Sequence, residues 1–220
     1  MSASSAPPKP RLRGVSHQIA FFVFVAASAW LLSAVEGHAA RRAVVVYGLS
    51  LALLYGVSAT YHRRNWTPAG LRRMQRLDHS VIFVLIAGSY TPLFLLFDRQ
   101  AFMLDPLLLV WALAAMGIGK SLVWAHGPTW VTAALAIAIG WSGLSYAAAL
   151  IPATGSAAFV LFLATGVAYS TGGVIYARRR PDPIPTVFGY HEVFHVFVIL
   201  GSSVHFTHTL VLLRRAGALG

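Results

Sequence analysis

Apolar residues in this chain neither alternate nor stripe one side of a helix; they come in long runs separated by short polar links. Seven runs can be drawn, over residues 15–35, 43–62, 79–97, 106–123, 128–150, 156–177 and 190–213. Each holds roughly 18–24 residues, enough for a helix to cross a hydrocarbon core of about 30 Å. A helix apolar nearly all round is buried among lipid or other helices. The pattern predicts an all-α membrane protein, a bundle of seven transmembrane helices with antiparallel neighbours.

Local signals mark several ends. Asp105-Pro106 opens the fourth run, because proline is tolerated in a first turn. Gly127-Pro128 separates the fourth from the fifth, and Pro152 and Gly155 separate the fifth from the sixth. Pro181, Pro183 and Pro185 make the link before the seventh stiff and non-helical, and Pro92 is expected to kink the third. Three regions result: a disordered, basic, proline-rich tail over 1–14, the seven-helix domain over 15–213, and a short tail over 214–220. The opening residues do not read as a cleavable signal peptide. No internal repeat is evident.

Composition agrees with that class: 57% of residues are hydrophobic, 10% are charged, and the mean hydropathy is +0.69. A net charge of +11 would suggest nucleic acid in a soluble protein. Here the cations are confined to the links, where they act as topology signals, so nucleic acid is not an expected partner. Counted alternately, twelve Lys and Arg fall on the side of the N-terminus and five on the other. The expected orientation is N-terminus cytoplasmic and C-terminus outside, in the inner (plasma) membrane. With no cysteine, a metal site must be built from histidine and carboxylate.

Ionisable residues within such runs are costly, and their default reading is functional. The last run opens Tyr190-His191-Glu192-Val193-Phe194-His195, with two imidazoles at i and i+4 on one helix face. The second run ends at Ser58-Ala59-Thr60-Tyr61-His62, and the third starts at Leu77-Asp78-His79. Alternation of the runs brings Ser58, His62, Asp78, His191 and His195 to one depth on the cytoplasmic side. Three imidazoles plus a water form a catalytic rather than a structural zinc site. On this reading His62, His191 and His195 bind Zn, Asp78 holds the water or acts as base, and Ser58 orients it. Zinc lowers the pKa of its water to about 7. The chemistry would be hydrolysis of an amide or ester, with a lipid-like substrate entering from the inner leaflet.

The SxxxH of Ser58–His62, the LDHS of Leu77–Ser80, the IAGSYTP of Ile86–Pro92 and the HExFH of His191–His195 resemble the haemolysin III family. Its members are bacterial relatives of the progestin and adipoQ receptors, which include the adiponectin receptors, and more distantly of the alkaline ceramidases. The resemblance runs from GVSHQIAF at Gly14 to the end of the seventh run. It implies a seven-helix bundle with zinc on His62, His191 and His195, Asp78 touching the zinc-bound water and Ser58 close by. Family members often carry an acidic residue just ahead of the first helix, where this chain has Arg11 to Gly14. Some bacterial members look like modulators of membrane lipid or energy state, and the family name implies cytolysis.

Plainer readings stand beside these. Asp78 falls where an N-cap belongs, and Ser58 could serve close packing alone. Glu192 completes H-E-x-x-H, the zincin protease signature, yet it is turned about 100° from His191 on a helix. An exposed or ion-paired Glu192, with Arg178–Arg180 as partners, is favoured over a base. His205 lies ten residues past His195, about 15 Å along the helix, too far to share its metal. His205 and His208 are expected to bond neighbouring helices or line a polar cavity. His17 is given at best a supporting position beside the site, His38 and His126 are read as loop residues, and His79 is unassigned. Gly117, Gly119, Gly166, Gly172 and Gly173 are expected to allow close helix approach, and Trp66, Trp124 and Trp130 to anchor run ends at the interface.

Two functions follow from the residues: a zinc-dependent hydrolase of lipid amides or esters, or a non-enzymatic receptor-like or membrane-homeostasis protein with structural zinc. A cytolytic haemolysin ranks below both, because the polar residues cluster at one depth instead of lining a channel. Oligomeric state is left open.

Overall fold

The computed structural model describes residues 9–97, 102–124 and 127–219. Its helices are α1 (Val15–Ala34), α2 (His38–Arg63), α3 (Pro68–Leu96), α4 (Pro106–Val123), α5 (Thr129–Trp141), α6 (Leu144–Ala149), α7 (Ile151–Thr154), α8 (Ser156–Arg178) and α9 (Tyr190–Arg215). Seven stretches are long and apolar enough to span a membrane, with α5 and α6 together making the fifth. His126 and residues 1–8 lie outside the described residues.

The expected spans are all present, but several ends differ. His38 opens α2 and does not sit in a loop. α3 starts eleven residues before position 79, because Thr67 caps it and Pro68 takes its first position. The Thr67 hydroxyl accepts a hydrogen bond from the Gly70 amide at 3.2 Å. Asp78 is therefore not an N-cap: it lies about three turns inside the helix. α3 runs on through Pro92 to Leu96.

The fifth span is interrupted at Ser142-Gly143. The Tyr90 hydroxyl of α3 donates to Gly140 O and accepts from the Gly143 amide at 3.2 Å. A Cβ on Gly143 would run into the Tyr90 ring. The break is thus fastened to the centre of the bundle.

Chain neighbours pack side by side, α1 on α2, α2 on α3, α3 on α4 and α8 on α9, while α5 lies on α8. In its most apolar window α3 has 72% of its residues buried, against 22% for α1, so α3 is the axis and α1 a peripheral wall. Among the expected close-approach glycines, Gly117 faces the Phe83 ring, Gly166 faces Trp141 and Gly173 faces Ile137, whereas Gly119 faces open space. Phe83 is fully buried and cannot retreat. Gly117→Val is expected to destabilise the bundle by about 1–3 kcal/mol through overpacking, seen as a lower thermal midpoint in detergent.

Both ends of the described chain are tied down. Residues 11–14 form a turn instead of the expected disorder. The Arg11 amide donates to Thr186 O at 3.0 Å and the Leu12 amide to Val187 O at 3.1 Å, in the proline-rich link before α9. At the other end, Glu36 N donates to Ala218 O at 3.0 Å, which joins the tail after α9 to the α1–α2 connection.

Candidate metal centre

His62 lies one residue before the end of α2, and His191 and His195 occupy the first two turns of α9. Both segments are at the end of the bundle where α1 and α3 begin. The long polar start of α3 sets Asp78 at the same level. Local chemistry holds the start of α9 in place. The Tyr190 amide donates to Asp182 Oδ1 at 2.8 Å, and the Gly189 amide donates to Glu192 Oε2 at 2.8 Å. Two of the orphan amides that begin any helix are thereby satisfied.

The three predicted ligands meet. One ring nitrogen from each of His62, His191 and His195 lies within 4.8 Å of the others. His62 Nε2 and His191 Nε2 are 3.1 Å apart. Nitrogens sharing a tetrahedral zinc at about 2.0–2.1 Å stand roughly 3.3–3.4 Å from each other. Small side-chain rotations would bring all three to that spacing. The rings are 7%, 8% and 1% exposed, respectively, so the cluster is shut off from bulk water. His195 Nδ1 is buried with no hydrogen-bond partner among the described residues. Such orphans are rare in folded proteins and call for an explanation such as an ion. The donor set fits a borderline metal that accepts imidazole.

Ser58 and Asp78 join the histidines in one cavity. Ser58 is buried, and its Oγ lies 2.8 Å from His17 Nδ1. Asp78 is within hydrogen-bonding reach of the same hydroxyl. Ser58 is therefore more than a small packing residue. The cavity, of about 150 Å³, has His17, Ser58, Asp78 and His195 at one end and continues between apolar walls that include Ile86, Phe162 and Val198. His205 lines it farther along α9.

His17 was underrated from sequence. Its ring stacks on that of His195, with centroids 3.6 Å apart and planes 12° from parallel, and its edge meets Tyr55. The signal was present: a histidine in the first turn of an apolar helix starting at the site end. His205 and His208 pack against each other at 5.0 Å, each with an Nδ1 that has no partner among the described residues. His79 is buried, and its Nδ1 likewise has no partner among the described residues.

Glu192 is ion-paired, one of the two expected states, but with a different partner. It is 1% exposed, and its ion-pair partner is Arg13 in the turn before α1, not Arg178–Arg180. Both carboxylate oxygens are engaged, one by Arg13 and one by the Gly189 amide. The zincin assignment of this side chain as a base is left without a free oxygen.

Residues 6–206 match the family profile described as Haemolysin-III related. The chain belongs to the haemolysin III family. Over 195 residues it is 30% identical to Hemolysin-3 of Bacillus cereus, covering 87% of this chain and 86% of that protein. A Hemolysin-3 homolog of Bacillus subtilis (strain 168) is 27% identical over 195 residues, covering 87% and 88%. Family and spans together make this haemolysin III member a multi-pass membrane protein of the plasma membrane, with a histidine cluster able to hold a metal ion.

Proposed function

We propose that this haemolysin III member is a zinc-dependent hydrolase of a lipid amide or ester, with its histidine-bearing end facing the cytoplasm. The observation that carries the reading is the continuity of His195, Asp78 and Ser58 with one elongated apolar cavity. An apolar tunnel that ends on a polar constellation suits a chain-bearing ligand whose reactive group lies at the polar end. The cation bias of the links supports the orientation.

His62, His191 and His195 would hold the metal, which when bound supplies a Lewis acid and a water acidified to about pKa 7. Asp78 would serve as the proton acceptor for an attacking water and as the donor to the leaving group. Ser58, bonded to His17 and within reach of Asp78, fixes the direction of that carboxylate. The apolar walls exclude bulk water and orient the substrate chain.

A second reading, a receptor-like or homeostasis protein with structural zinc, has one observation in its favour. α2 and α9 meet mainly through side chains, such as Tyr55 Oη on Ser202 Oγ at 2.7 Å, so a metal would tie two helices that are not close-packed. Asp78→Asn separates the two. The hydrolase reading expects metal retained and hydrolysis of a ceramide-like panel lowered by about 10²–10⁴-fold, the usual weight of a general base. Function unchanged in Asp78→Asn, alongside loss in the histidine variants, would favour the structural role.

A further inference from the structure

Two of the candidate ligands stand almost at the edge of the bundle. His62 is followed by one helical residue, and His191 is preceded by one. Helix ends so placed would leave the cluster open to the aqueous phase, yet the three rings are nearly inaccessible. His17 packs on the His195 ring, Tyr61 on His62 and Tyr176 on His191, and outside them the segment Lys9–Gly14 runs across this end of the bundle. Lys9 Nζ donates to His62 O at 3.4 Å and Arg64 O at 3.3 Å, on the carbonyl end of α2, where a cation is favoured. Arg11 and Leu12 hydrogen-bond the link before α9. Arg13 is paired with buried Glu192, which directly follows His191. Gly14 follows in a left-handed conformation (φ 78°), and a Cβ there would stand 2.7 Å from the His62 Cβ. Only a residue without a side chain lets the backbone come this close.

We propose that Lys9–Gly14 is a latch across the aqueous entrance to the histidine cluster, and that the metal enters and leaves when it lifts. The proposal rests on the metal reading above. The latch is built to release: it forms no helix or strand, it is held to the link before α9 and to the site by two backbone bonds and two cationic side chains, and it leads into one of the two least buried spans. Among the described residues its interactions are with the lips of the site, on His62 O and on Glu192, and with no imidazole nitrogen. Lifting it would therefore change how fast metal moves and leave the final ligand set intact.

The test compares wild type, Arg13→Ala and Arg13→Lys as purified full-length protein in detergent. Zinc uptake and release to a chromogenic chelator are timed, and hydrogen exchange is followed at the Arg11 and Leu12 amides. A hydrogen bond to a charged group weighs about tenfold or more in such an opening equilibrium. Arg13→Ala should accelerate uptake and release alike, roughly tenfold or more, with little change in affinity. Arg13→Lys should fall between. Unchanged rates would overturn the latch. Faster release alone, matched by weaker affinity, would also overturn it, since Arg13 would then be a support of the ligand set. Wild-type protein that takes up no metal would defeat the metal reading instead. The closure would then be judged by exchange alone, and unaltered exchange at Arg11 and Leu12 in Arg13→Ala would defeat it too.

Discussion

His195→Ala is expected to yield a folded membrane protein that no longer retains metal. A four-ligand zinc site is worth about 10–16 kcal/mol, so one imidazole carries about 3–4 kcal/mol, or roughly 10²–10³ in affinity. The bundle should survive, because α9 is also held through Ser202, whose Oγ meets the Tyr55 hydroxyl at 2.7 Å and the Tyr169 hydroxyl at 2.8 Å. Metal analysis of purified protein, with circular dichroism for helicity, reads both halves. His205→Ala is the control: on the same helix and lining the same cavity, it lies about 15 Å from His195 and should leave stoichiometry unchanged. Equal metal content in His195→Ala and wild type would remove the centre from the protein's chemistry.

Glu192→Ala should destabilise this end of the bundle. It strands the partly exposed Arg13 guanidinium and the buried Gly189 amide together, at a cost of about 2–3 kcal/mol. The expected readout is a much lower thermal midpoint. Glu192→Gln keeps an oxygen for the Gly189 amide and should recover part of the loss. If Glu192 were the general base of a protease, Glu192→Gln would instead keep full stability and lose turnover. That outcome would make Glu192 a catalytic base instead of a structural anchor.

The seven spans were legible because bilayer thickness imposes a run length that hydropathy reads directly. What hydropathy reads is immersion in lipid, however, and helices extend beyond it. The start of α3 escaped notice for that reason: Pro68 to Leu77 is helical but carries Arg72, Arg73 and Arg76, and the Thr67-Pro68 signal lay outside the apolar window. The interruption at Ser142-Gly143 depends on the Tyr90 hydroxyl, a contact across 53 residues that no local pattern contains. In the site, the meeting of His62, His191 and His195 followed from counting spans, since alternation fixes which ends share a side. Partners were another matter. Nearby Arg178–Arg180 looked suited to Glu192, yet the pair formed with Arg13 at a separation of 179 residues. His17 stacking on His195 depends likewise on where the peripheral α1 docks.

The overlong α3 has a mechanical corollary. At 29 residues it measures about 43 Å, against about 30 Å of hydrocarbon. The surplus lies at its Pro68 end, where Arg72, Arg73 and Arg76 are exposed. Guanidinium groups anchor at the level of lipid phosphates, so this stub works as a depth gauge that stops the central rod from sinking. With those guanidinium groups at phosphate level, Asp78, two residues beyond Arg76, is expected just beneath the headgroups. A bilayer made thicker or thinner would then shift the far ends of the spans first, and leave that carboxylate at its station.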